Sequence, residues 1–355
     1  MNTVAANPLL GVGMHAIGAF FAATCYTPQK RVRKWSWQTY WLTQAAFCWF
    51  LLPILGAMLT IPDLAAVLRE APRDAMLKTF LLGAAHGIGG TAFGISIRYI
   101  GFSLTYSIAV GLSSVLGTLI PPLVHGTLGS TLSQTGAGWV IAGIAVGTVG
   151  IALTGTAGRM KEKDLSAQHE KTEFSLLKGL LLSLLAGVLS AVYGFALDQG
   201  EPIARVALNH GAGVWQGNVI YIFSNSGAFL TTAIYCLYLH GRHRTLGELI
   251  ELPAGPEKAS LPVNFAMAAV TGLFWYGQFF FYNLGHVRLG EYKFTSWAIH
   301  MIMLVLFSNV VGVAFREWRS CRRLTHGTIA FALLVLVGAV LCLTYGNYLG
   351  EQAAP

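Results

Sequence analysis

Charge is what this 355-residue chain has least of. Asp, Glu, Lys and Arg together make up 11% of it, against 54% apolar residues and a mean hydropathy of +0.59. That balance excludes a water-soluble enzyme or binding module. Cysteine is sparse as well. Cys25, Cys48, Cys236 and Cys342 fall in apolar stretches and Cys321 in a polar loop, and no spacing fits a disulfide framework or a zinc site. The chain has no His-Glu-x-x-His, no Walker A loop and no Gly-x-Ser-x-Gly. We therefore expect no enzyme, no metal and no cofactor, and any active process must draw on an ion gradient. The acidic rings or filter-like loops of an ion channel are missing too.

What the chain does have is ten apolar stretches of about 20 residues, the length of a helix across a bilayer. They cover 8–27, 39–61, 76–98, 102–124, 138–157, 176–198, 215–239, 262–286, 294–315 and 325–349. All are too continuous in apolar residues for barrel strands, and a helix satisfies its own backbone in lipid. The expected class is an all-α integral membrane protein with the lipid bilayer as its main partner. Pro53 predicts a kink in the second span, and Pro121-Pro122 the end of the fourth. Trp35, Trp37, Tyr40 and Trp41 read as an interfacial aromatic belt. Glycines four apart, Gly83–Gly87, Gly90–Gly94 and Gly143–Gly147, suit close helix packing.

Basic residues set the orientation. The loops after spans 1, 3, 5, 7 and 9 carry four, one, five, three and four Lys or Arg, which is 17 of the 23. The positive-inside rule then places these odd loops in the cytoplasm and both termini in the periplasm. Because this charge is split among short loops, nucleic-acid binding is not expected. Nor is a cleavable signal peptide, since residues 1–7 lack basic side chains and the cluster Lys30–Lys34 follows the first span.

The longest charged stretch, 158–175, has five spans on either side. Five is odd, so the second set enters the membrane from the opposite face. The expected organisation is a first five-helix repeat at 1–157, a charged cytoplasmic linker at 158–175 and a second, inverted repeat at 176–355.

Ionisable groups at membrane depth are costly and mark function. His15, His86 and His300 lie within spans, and Asp198 lies at the end of the sixth. No Lys, Arg, Asp or Glu sits at mid-span. Histidine titrates near neutral pH, so His15 and His300 are candidate proton carriers, with Asp198 a third. In span 8, Phe274-Trp-Tyr-Gly-Gln-Phe-Phe-Phe-Tyr282 combines an amide with flat rings. Sugars present hydroxyls to amides and C–H faces to rings. Trp275 and Gln278, three apart, can share a helix face. With Tyr276, His86 and Trp297 they form the candidate substrate-binding set.

Several strings resemble the bacterial L-rhamnose–proton symporter family, of the drug/metabolite transporter superfamily. They are Tyr26-Thr-Pro-Gln-Lys-Arg-Val-Arg-Lys-Trp-Ser-Trp37, Gly87-Ile-Gly, Ile97-Arg-Tyr-Ile-Gly101 and Trp275-Tyr-Gly-Gln-Phe-Phe-Phe-Tyr282. Gly285-His286, Ser296-Trp297, His300-Met301, Val311-Gly312 and Glu317-Trp318 add to them. The resemblance implies ten helices in two inverted repeats and proton-driven uptake of a sugar, L-rhamnose or a related deoxy sugar, through the inner membrane by alternating access. Sugar and protons would be the partners, with no obligatory protein partner. It also implies a cavity lined by spans 1, 3, 4, 6, 8 and 9, with His15, Gln278 and His300 at positions that match the family. His86 and Asp198 depart from its pattern. An uncoupled facilitator, a membrane sensor and an exporter of another small metabolite remain as alternatives.

Overall fold

In the computed structural model, residues 5–100, 102–166, 176–254 and 258–353 are described. Residues 167–175 of the expected linker lie outside them. Among the described residues the chain is all helix and turn, with no strand. The long helices are α1 (Pro8–Thr24), α2 (Trp37–Thr60), α3 (Arg73–Ile100), α4 (Phe102–Val124) and α5 (Ala137–Ser166). They continue with α6 (Leu176–Gln199), α7 (Ile220–His243), α8 (Leu261–His286), α9 (Ser296–Ala314) and α10 (Arg323–Gln352).

Eight of these are long and apolar enough to cross a membrane. The other two, α3 and α8, are 28 and 26 residues long. Of these, α3 opens with Arg73, Asp74 and Lys78, and α8 carries Asn264, Gln278 and Asn283 among its rings. These are also the helices that bear His86, Trp275, Tyr276 and Gln278.

The contacts divide the chain into two compact units. Unit 1 holds Thr24–Ile88 and Ala196–Phe280. Unit 2 holds the described residues of Val4–Ala23, Gly89–Phe195 and Phe281–Pro355. Each unit therefore draws on both halves of the sequence.

In unit 1, α3 lies directly against α7. A Cβ on Gly83 would collide with the Ser224 carbonyl, and one on Gly227 with the Phe80 carbonyl, so the backbones touch only because these positions are glycine. The start of α2 is held from a distant loop. The Glu248 carboxylate accepts the Ser36 N–H (2.7 Å) and the Thr39 hydroxyl (2.6 Å), and the Trp35 indole donates to the Glu248 carbonyl (2.8 Å). An anion at that helix start also favours the helix dipole. Tyr40 departs from the expected belt: it is buried and donates to Thr271 of α8 at 2.8 Å. Pro53 acts upstream of itself. Having no N–H to offer the Trp49 carbonyl, it follows a π-helical turn at Ala46–Leu51, in which the Leu52 N–H reaches back to the Phe47 carbonyl.

In unit 2, α5 packs on α10. Gly143 and Gly150 receive Leu343 and Leu336, and Gly147 receives Ile302 of α9. Ser96 of α3 meets Thr105 of α4 at 3.1 Å and Ser183 of α6 at 2.8 Å, an interhelical hydroxyl cluster. At the far end of α5, Asp164 accepts the Arg322 N–H (3.0 Å) and the Thr325 hydroxyl (2.7 Å), capping α10. As expected, α4 ends just past Pro121-Pro122, at Val124.

Each unit gathers its odd loops together. In unit 1 the loop after α1 bonds the loop after α7 and the start of α8, where the Arg33 N–H donates to Asn264. In unit 2 the end of α5 bonds the turn after α9, through Lys161 and Glu317 at 3.1 Å.

Candidate functional site

In unit 2, His15 of α1 and His300 of α9 face each other with ring centroids 5.9 Å apart. Both side chains are completely buried. Tyr282, at the end of α8, lies edge-on to both, 5.1 Å from His15 and 5.4 Å from His300. His286, one turn further, stacks on Tyr282 at 5.9 Å and bonds the Ser296 hydroxyl at 2.8 Å. Gly285 makes room for this arrangement, because a Cβ there would press on the His15 ring at 2.7 Å. Neither ring nitrogen of His15 makes a hydrogen bond among the described residues. A buried polar group left this way is the type of group that a proton, a water or a ligand completes. Two imidazolium charges at this separation would repel in a water-poor site, so the pair suits one proton and not two.

Trp297 joins the same cluster. Its indole N–H donates to the Ser113 carbonyl of α4 at 3.0 Å, and its ring lies 5.9 Å from Tyr282 and against Gly117 and Gly194. It is wedged among α4, α6 and α8 as a wall of the histidine cluster.

Unit 1 holds a different group. Trp49, in the π-helical turn of α2, sits edge-on to Trp275 at 5.1 Å and to His86 at 6.4 Å. Phe279 follows Trp275 at 4.8 Å, and Tyr221 of α7 donates to the Phe279 carbonyl at 2.8 Å. Gln278 is buried on the same helix. Tyr276 points another way, toward α2 and α7, where its hydroxyl fits only because position 56 is glycine. The Trp49 indole N–H and the Tyr276 hydroxyl are both buried without a hydrogen bond among the described residues. Of the two, the Trp49 donor lies beside the rings of Trp275 and His86, where it can serve a ligand hydroxyl.

Of the candidate residues, His15, His300 and Trp297 come together in unit 2. His86 and Trp275 come together in unit 1 through Trp49. Asp198 is half-buried in unit 1 and accepts a bond from Gln199 at 3.1 Å. Trp49 and Tyr282 were missed as site residues. Tyr282 could have been found: with Trp275, Gln278 and His286 it completes an i, i+3, i+7, i+11 stripe along α8. Among the described residues no group of three or more His, Cys, Asp or Glu is placed to hold a metal ion.

The model of the L-rhamnose-proton symport protein (RhaT) family matches residues 4–348. The chain belongs to this family. Similar proteins agree with it. An L-rhamnose-proton symporter of Cronobacter sakazakii is 34% identical over 332 residues, covering 93% of this chain and 95% of the relative. Those of Mannheimia succiniciproducens and Yersinia pestis are each 32% identical, with the same coverage. The family is one of transporters, so the expectation that the chain is not an enzyme holds.

Proposed function

We propose that this chain imports L-rhamnose, or a closely related deoxy sugar, together with protons across the bacterial inner membrane by alternating access. The observation that carries this reading is the family match over nearly the whole chain. Ten spans in two inverted repeats, 1–157 and 176–355 about the linker 158–175, form the framework. The make-up of the units supports the repeat. Helices five apart fall in the same unit: α2 with α7 in unit 1, and α1 with α6, α4 with α9 and α5 with α10 mainly in unit 2. Both α3 and α8 are divided between the units toward their C-terminal ends.

In this reading Gln278, Trp275, Tyr276 and His86 recognise the sugar, with Trp49 added to them, and Trp297 shapes the histidine cluster of unit 2. His15 and His300 carry the proton. Asp198 ranks behind them. Proton and sugar binding must then strengthen each other by the same factor. No cofactor and no protein partner takes part. Purified protein in proteoliposomes should take up protons when L-rhamnose is added and accumulate the sugar when a pH gradient is imposed. Sugar equilibration without proton movement would leave only a facilitator. The proposed orientation puts a reporter fused after Glu351 in the periplasm and one fused within 161–171 in the cytoplasm. The reverse result would overturn it.

A further inference from the structure

Unit 2 contains a cleft of about 90 Å³ at the end that bears its odd loops, and neither proposed cluster includes it. Its walls come from α4, α5, α9 and the turn after α9. Tyr106 and Ser308 bond across it at 3.3 Å. Lys161 reaches over its edge to Glu317 at 3.1 Å and sits 4.8 Å from the Trp318 ring. Its floor is open because position 312 is glycine: a Cβ there would lie 3.2 Å from Trp318 Nε1 and 3.4 Å from Glu317 Oε2. Trp318 is only 6% exposed, yet its indole N–H makes no hydrogen bond among the described residues. The Asn309 amide donates to the Val305 carbonyl, which leaves its oxygen as an acceptor on the cleft, and the Ser107 hydroxyl is unused among the described residues. Gly312, Glu317 and Trp318 belong to the strings that match the family, and no role has so far been given to them.

Such polar density within a helix bundle is costly unless something uses it. The lining mixes donors and acceptors, and its one cation and one anion cancel. It therefore suits a neutral polyhydroxyl ligand better than an anion or a cation. We propose that this cleft is a second sugar station, on the cytoplasmic side of unit 2, which the sugar occupies on its way out. The proposal rests on the transport reading above. At its present size the cleft holds a few waters. A sugar ring enters when the Lys161–Glu317 bridge swings aside.

A site on one face is tested from that face. L-rhamnose transport is measured in right-side-out and inside-out vesicles for the wild type, Ser107→Ala, Asn309→Ala and Trp318→Phe. Ser107 makes no side-chain hydrogen bond among the described residues, so its loss leaves the fold intact. Each variant should raise the half-saturating concentration at the cytoplasmic face about five-fold, the loss of roughly one hydrogen bond, and leave the periplasmic value within about two-fold. Equal shifts on both faces, a shift on the periplasmic face alone, or no shift would overturn the station and leave the transport reading standing. Wild-type vesicles that move no rhamnose would instead overturn the transport reading, and the station with it.

Discussion

The two buried clusters are built from different chemistry. In unit 1 two indoles, Trp49 and Trp275, lie with Phe279, and the Trp49 N–H is buried without a hydrogen bond among the described residues. In unit 2 three histidines, His15, His286 and His300, surround one tyrosine. Flat rings with fixed donors suit an uncharged ligand of defined shape. Clustered imidazoles suit a proton. Under the proposed transport reading, substrate recognition falls to one compact unit and proton handling to the other, so each can be broken alone.

The largest effect should come from unit 2. His15→Gln or His300→Gln should abolish accumulation of sugar against a gradient while leaving equilibrium exchange partly intact. Sugar binding should also lose the pH dependence that the wild type shows. His86→Phe, in unit 1, should keep accumulation, and a loss equal to that of His15→Gln would erase the contrast between the clusters. Next comes Gln278→Ala. Its sugar affinity should fall by about 1–3 kcal/mol, the cost of a hydroxyl left unpaired, with the number of protons per sugar unchanged. A changed stoichiometry would merge the two roles. Trp49→Leu should weaken binding less, by about 0.5–1.5 kcal/mol for the lost ring contacts, read by the same binding titration. Gly83→Val tests packing in unit 1. The side chain has no room against Ser224, so the yield of folded protein and its melting temperature should both drop. The smallest effect is expected from Asp164→Asn, whose cap on α10 is made with the exposed Arg322. It should leave transport unchanged and shift the melting temperature less than Gly83→Val does.

The helices were legible because lipid demands long apolar runs and charge can gather only between them. Which side chains meet was harder to read. A soluble helix marks its inner face by polarity, whereas a helix facing lipid is apolar on both sides, so its rotation is unmarked. His15 and His300 stood out because they are polar exceptions. Trp49 did not, since it is one ring among many in span 2 and the π-helical turn before Pro53 alters the register that sets its direction. Tyr40 looked interfacial from its neighbours Trp37 and Trp41, and only the partner Thr271, 231 residues away, makes it a core residue. Interleaved units are invisible to a reading that runs along the chain.

The Glu248 contact at the start of α2 also has a consequence in time. Thr39 and Glu248 are 209 residues apart. At about 5–20 residues per second, a ribosome needs roughly 10–40 s to make that stretch. For that interval the second helix stands in the membrane with its first turn answered only by interfacial water. Unit 1 cannot close until α8 has been made, so the early helices of this protein must wait, inserted but unassembled, for most of its synthesis.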